Sequence, residues 1–393
     1  MRIKEFITTI PIKKVTLSDI VSFEKTPINL LIAGVTLLFL VLFAVGITTY
    51  ILHGHHAYNV TKEHPWGLLI AVYIFFVVSS TGLCIVGSLG DVFGFKDYMM
   101  ISKRAIFGSI ITIVSGFAVI AFEIGHPITM VIYNILTPGF TSAIWWMGTL
   151  YGLYMTFMII EFVFLLKHDM KMAKIFGLTG LLVGLAAHSN LGGVFGFLNA
   201  RTISNGVFYP MYFILTAFIT GIFLSFIMYG FKYRLKFDEK ATLLLTNLAK
   251  IQGLLIAILM FFVTWKMLTD VYGGMPNRAE VTRHIFSSAT FWAEVFFAMV
   301  IPLFIILKSA GKNIVGMFWG SLIGMVGIFF MRYNLVHDTQ LKPLQMLKTS
   351  EYQLVPTWIE YFPSVTEVMI SLGGLGLCLF LYYMGTKLFN LDE

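Results

Sequence analysis

Along most of the chain polar residues are scarce, and they gather in short groups between long apolar runs. A helix needs about 20 apolar residues to cross a bilayer. Candidate runs are Ile28–Leu52, Trp66–Leu89, Ala105–Glu123, Ala143–Leu166, Ala173–Phe197, Phe208–Phe231, Leu243–Leu268, Thr290–Leu307, Ile314–Met331 and Val368–Gly385. Each is too long for a strand, and none alternates outward and inward as a membrane barrel does. In hydrocarbon the backbone must satisfy its own hydrogen bonds, which leaves helices. The pattern predicts an all-α polytopic membrane protein with about ten transmembrane helices. It divides into a segment 1–27, a single transmembrane domain 28–386 and a tail 387–393.

Composition excludes whole function classes. Of 393 residues, 58% are hydrophobic and 12% charged, against roughly 25% charged in soluble domains. So few charges cannot cover a soluble molecule of this size, which rules out a soluble enzyme, a nucleic-acid binder and a disordered protein. The net charge of +7 is read through loop topology instead. An even number of helices puts both termini on one side. That side carries 18 Lys and Arg residues, the other seven. The positive-inside rule then predicts both termini in the cytoplasm, with the chain in the cytoplasmic (inner) membrane. Arg2, Lys4, Lys13, Lys14 and Lys25 make the first segment too polar for a signal-peptide core. No small-residue cleavage site follows the first apolar run, so that helix is expected to be retained.

Redox groups are constrained next. Cys84 and Cys378 both lie in apolar runs. A four-iron cluster takes about four thiolates, so this chain is expected to hold no iron–sulfur cluster. A membrane b-type haem takes two facing imidazoles, and His188 alone lies in an apolar stretch. No C-x-x-C-H motif occurs, so a haem-free chain is expected. His53, His55, His56, His64, His126, His284 and His337 fall in or beside the predicted outer loops. The first four have residue types that bind zinc or copper. A polar interfacial loop without metal is the preferred reading. His64 directly precedes an apolar helix, where an imidazole can hydrogen-bond a quinone carbonyl and exchange a proton.

Carboxylates at membrane depth are costly and point to function. Glu123, Glu294 and Glu367 lie toward the outer ends of predicted helices, Asp91 and Glu161 toward the inner ends. Glu161, Glu294 and Asp91 are candidates for proton half-paths. Residues within a turn of the interface also have a plain role in capping. Arg201 reads as a loop anchor or as a partner of Glu123. Trp145, Trp146, Trp292 and Trp358 suit an interfacial aromatic belt. The small residues of Gly180–Gly196 suit close helix approach.

Several segments together resemble one family. The run His64 to Tyr73 (HPWGLLIAVY) is similar to the W-G-x-x-I-A-x-Y opening of the NrfD-like, polysulfide reductase membrane subunits. Glu123 to Pro127 (EIGHP) resembles their D-x-G-R-P, followed at the family's spacing by Thr141 to Gly148 (TSAIWWMG). His188 to Gly193 (HSNLGG), Arg201 and Phe208 to Pro210 resemble H-x-x-x-G…R-P…P. Phe291 to Glu294 with Pro302, and Phe362 to Glu367, fit the later helices. The match runs from about Pro65 to Tyr383. Glu123 stands where the family has Asp, and His126 where it has Arg, so a fixed positive charge becomes a titratable one.

The resemblance implies two four-helix bundles plus flanking helices. It implies a quinone or quinol site, for menaquinone or ubiquinone, near the outer face of the first bundle. It implies an outer ferredoxin-like iron–sulfur partner subunit, with further catalytic or cytochrome subunits beyond it. On that basis His64 and Glu123 are the leading proton-relay and carbonyl contacts. Trp66, Tyr73, His126, His188 and Arg201 follow as quinone-binding candidates. The function expected is a membrane anchor passing electrons between the quinone pool and the partner, with proton movement as an added role. Two rivals are a secondary transporter, suited to ten helices with internal Gly and Pro, and a purely structural anchor.

Overall fold

The computed structural model describes residues 11–13, 15–16, 26–201, 203–275, 277–343 and 358–392. Arg2, Lys4, Lys14 and Lys25, and with them most of segment 1–27, lie outside the described residues. Among the described residues ten helices are long and apolar enough to cross a membrane. They are α1 (Pro27–His53), α2 (Leu68–Asp91), α3 (Met99–Ile120), α5 (Ala143–Leu166), α6 (Met170–Gly196), α7 (Phe208–Tyr233), α8 (Glu239–Tyr272), α10 (Ala289–Ser309), α11 (Ile314–Asp338) and α12 (Val365–Leu388). Two short helices were not anticipated: α4 (Pro127–Leu136) and α9 (Arg278–Phe286).

Local chemistry sets the starts. Thr26, Ser142, Asp169, Asp238, Asn313 and Ser364 each accept a backbone N–H at the first turn of their helix. Such caps satisfy donors that have no partner inside the helix. Apolar periodicity cannot see these caps, so several boundaries move. The ninth predicted helix continues past Met331 to Asp338, which takes Arg332, Asn334 and His337 out of a loop and onto α11. The third ends at Ile120, so Glu123 sits in a turn rather than in a helix. Trp66 likewise precedes α2. Within α10, Val295–Val300 forms a π-helical turn. Pro302 follows it; proline lacks an N–H and crowds the carbonyl four residues back, which loosens the preceding turn.

Packing is centred on α2, of whose apolar window 83% is buried, against 6% for α1. Helices α2, α3, α5 and α6 touch in sequence round a common interior, and α7, α8, α10 and α11 do the same. The two groups join through α2 and α6 on α7, and α2 on α11. Helix α12 packs on α1, α3 and α2. Lys13 donates its backbone N–H to Leu388 O at 3.0 Å, so both chain ends lie on one face, the tail face. Beneath it Asp392 pairs with Arg104 and with Lys232, the latter at 3.0 Å.

The α2–α7 crossing brings backbone against backbone. A Cβ on Gly82 would strike Ala217 O and come within 2.7 Å of Gly221 N. A Cβ on Gly221 would strike Gly82 O. Small residues at such crossings let dispersion and weak Cα–H···O contacts replace the hydrophobic effect, which is absent between helices in lipid. Gly221→Leu should therefore cost more than the roughly 1–3 kcal/mol of ordinary overpacking and abolish accumulation of monodisperse protein. Gly34→Ala, whose Cβ meets nothing within 4 Å, should leave yield and melting in detergent unchanged.

Candidate functional site

The face opposite the tails carries His64, and its architecture begins at the start of α2. Gly67 offers no capping side chain. The Leu68 N–H donates instead to Tyr361 Oη at 2.7 Å and Glu367 Oε1 at 3.2 Å. Glu367 Oε2 accepts from Asn59 N at 3.1 Å and Ser364 N at 2.8 Å, and Tyr361 donates to Glu367 Oε1 at 2.5 Å. One fully buried carboxylate thus serves two helix N-termini, where partial positive charge favours an anion. Gly67 is required because any Cβ would strike Glu367 Oε1 and come within 2.9 Å of the Tyr361 hydroxyl.

His64 is held against this frame. Its ring stacks on Tyr361 at 4.3 Å and 7°. Its Nε2 lies 3.2 Å from His337 Nδ1 at the end of α11, and His337 in turn stacks on Tyr333. The side chain is buried, and Nδ1 has no partner. Burial, then His337, and more weakly Arg201, push its pKa down to about 4, so it stands neutral near pH 7. Between two neutral imidazoles one N–H donates to the other's lone pair, which leaves each ring one further nitrogen for a guest or water.

Trp66 is fixed on both sides of its peptide by Gln340, whose Oε1 accepts from Trp66 N at 3.0 Å and whose Nε2 donates to Trp66 O at 2.9 Å. Its indole meets Phe195 edge-on at 5.3 Å. Arg201 donates to Lys342 O at 2.8 Å and to Glu63 O at 3.3 Å. Glu123 occupies the turn after α3, half-buried, with Oε2 unpartnered. Burial, then the nearby Glu367 carboxyl, raises its pKa to about 7. Tyr58 roofs this turn, donating to Phe122 O at 3.0 Å and stacking on Tyr50. His126 is exposed, just before α4. His55 packs edge-on against Tyr50 and Tyr58, and no group of three or more His, Cys, Asp or Glu forms among the described residues.

The remaining candidates lie deeper. Tyr73 is buried against Phe117. His188 is fully buried, with Nδ1 at 3.0 Å from Tyr151 Oη and Nε2 at 3.1 Å from Phe213 O. Glu294 accepts from Asn334 Nδ2 at 2.8 Å and from Tyr212 at 3.4 Å. Asp91 and Glu161 face each other, buried, near the tail face, close enough to share a proton. Glu294 belongs to the α7–α11 group of helices, the other two to the α2–α6 group.

Sequence reasoning did not single out His337, Tyr361, Glu367 or Gln340 as parts of one site. It also missed Arg332, fully buried, donating to Thr216 at 2.5 Å and lying 4.8 Å from the Phe213 ring centre. A signal existed for Arg332 and His337: both follow an apolar run with no Gly or Pro to end it.

The family model described as polysulphide reductase, NrfD, matches residues 55–343. The Hdr-like menaquinol oxidoreductase integral membrane subunit of Archaeoglobus fulgidus is 27% identical over 369 residues, covering 88% of this chain and 90% of that protein. A selenate reductase subunit of Mesobacillus selenatarsenatis is 22% identical over 371 residues, covering 84% of this chain and 86% of that protein.

Glu367→Ala strands the Asn59 and Ser364 N–H groups, at about 1–3 kcal/mol for each buried donor left unpaired, and should markedly lower the melting temperature in detergent. Glu123 binds its proton more tightly in the folded chain than in the unfolded one, so its contribution to stability falls as pH rises from 4.5 to about 7. Melting curves of Glu123→Gln should show a smaller drop across that window.

Proposed function

The chain belongs to the polysulphide reductase NrfD family, and on that basis we propose that it is the quinol-reactive membrane subunit of an oxidoreductase complex. The observation that carries this reading is the pairing, on one face, of a neutral buried imidazole with an unpartnered nitrogen and a carboxyl poised near neutral pH. The names of the two relatives, a menaquinol oxidoreductase subunit and a selenate reductase subunit, support it. We favour menaquinone over ubiquinone on the first of those names.

The residues present suit such a guest. His64 Nδ1 is a buried nitrogen without a partner, an acceptor in the tautomer whose Nε2 donates to His337, and Glu123 Oε2 is likewise unpartnered. Trp66, Phe195 and Tyr361 supply flat apolar surface beside them. A bound quinol supplies two electrons and two protons. Glu123 is the base, because its pKa of about 7 lets it take a proton and release it to water at neutral pH. His64 orients the second hydroxyl and passes its proton to His337, which is partly exposed. Arg201 holds the loop that carries His64, and Tyr73 and His188 line the interior beneath. His126, exposed, is left for the docked partner rather than for the ring. Electrons pass to a ferredoxin-like iron–sulfur subunit seated on this face, with catalytic or cytochrome subunits beyond.

We read 28–386 as one transmembrane domain in the cytoplasmic membrane, the His64 face outward and both termini in the cytoplasm, on the strength of the Lys and Arg bias. The helix contacts support two four-helix bundles, α2–α3–α5–α6 and α7–α8–α10–α11, flanked by α1 and α12. Asp91 with Glu161, and Glu294, remain the candidate proton half-paths, supported by their burial on opposite sides.

In the assembled complex His64→Gln and Glu123→Gln should each slow quinol-coupled electron transfer about 10²-fold or more, the scale of a lost acid–base group. The wild-type rate should rise through an apparent pKa of about 7, and this limb should vanish in Glu123→Gln. Wild-type rates in both variants, with normal assembly, would leave a structural anchor as the better reading.

A further inference from the structure

A second site opens between α8 and α10, away from His64. The two helices meet where Gly253 faces Ile306, at which a glycine Cβ would lie 3.1 Å from the isoleucine. Toward the His64 face they part. The space between is an apolar cleft of about 360 Å³, walled by Met260, Thr264 and Leu268 of α8 and by Trp292, Val295 and Met299 of α10. Its outer rim is exposed, with Leu268, Tyr272 and Trp292 uncovered, so it opens to the surrounding hydrocarbon. The π-helical turn Val295–Val300 forms part of its wall. Such turns insert an extra residue at a cost and recur at functional sites.

Behind the cleft lies a small polar cavity of about 50 Å³ that includes Tyr209, Lys266, Glu294, Asn334 and Asp338 in its lining. Val263, Met267 and Phe291 line both spaces and form the partition between them. Met267, unbranched and flexible, is the side chain of this partition best able to swing aside. The cavity takes a few water-sized groups and excludes an aromatic ring.

Hydrogen-bond supply in the cavity is lopsided. The Lys266 ammonium is engaged by Asp270 at 2.5 Å and Ile203 O at 3.4 Å. Tyr212 is engaged by Glu294. The Asn334 amide nitrogen must face the Glu294 carboxylate, which turns Oδ1 the other way, buried and without a donor. Asn334 Oδ1 is thus an acceptor without a donor, which a hydroxyl of the guest can satisfy.

We propose that this cleft binds a second isoprenoid quinol, its ring and tail between α8 and α10 and one hydroxyl reaching past Met267 toward Asn334 and Glu294. The cleft supplies the apolar volume, the partition the entry and the cavity the acceptors. The proposal extends the quinol reading to a second place on the chain.

The test is photoaffinity labelling of the intact complex in nanodiscs with an azido-quinol, followed by peptide mapping. Label is expected on α8 and α10 peptides, as well as near His64. Thr264→Trp and Leu268→Trp, at the exposed mouth, should each cut the α8/α10 label at least tenfold and spare the label near His64. Methylating both hydroxyls of the probe should weaken labelling at α8/α10, because the donor is lost. Label near His64 alone, α8/α10 label indifferent to both tryptophans, or label displaced by phosphatidylglycerol but not by quinol would overturn the second site. Label at α8/α10 with none near His64 would instead count against the first site and leave this one standing. No saturable label anywhere would sink both.

Discussion

Everything in this molecule hangs on the close passage of α2 across α7 at Gly82 and Gly221. Lipid offers helices no hydrophobic reason to associate, because hydrocarbon outside is as apolar as leucine inside. What remains is van der Waals contact, and contact is greatest where side chains are missing. The two glycines let the backbones touch, and through α2 and α7 the two groups of four helices are joined. Close packing recurs outward from that crossing, with Gly327 of α11 against Ala298 of α10 and Gly192 of α6 against the Tyr209–Pro210 backbone. The interior is thus held by shape, and its polar groups are free to be chosen for chemistry.

Those polar groups divide by what they touch. Glu367 is wholly engaged: its oxygens serve Leu68, Asn59, Ser364 and Tyr361. A carboxylate so fully satisfied builds the frame of the site, because each bond it makes fixes its position. His64 Nδ1 and Glu123 Oε2 stand beside it without partners. An unpaired buried polar atom costs free energy. The same contrast holds in the second group of helices, where Lys266 is bound to Asp270 while Asn334 Oδ1 waits.

Arg332 links these regions. It is buried on every side, in contact with Thr216 and over the Phe213 ring, whose backbone carbonyl meets His188. A guanidinium keeps its charge under all physiological conditions. Its position between His188 and Glu294 places a fixed positive charge between the two groups of helices. Such a charge opposes the passage of a free cation.

The helical membrane class, the ten spans and the crowding of histidines on one face were legible in the residues alone. They follow from composition and from apolar run length, which are local properties of the chain. The motif residues His64, Trp66 and Arg201 were legible too, and the structure brings them to neighbouring stretches. Which residue meets which was settled only by the packing of the helices. His337 pairs with His64 across more than half the chain, and Glu367 caps a helix that begins near the other end. No periodicity encodes such meetings, because they depend on how helices far apart in sequence are brought side by side. The same holds for the partners of Arg201, which are two backbone carbonyls, and for the extension of α11 that buries Arg332. A run of apolar residues says that a helix crosses; only its neighbours say which of its polar residues is caged and which is left open.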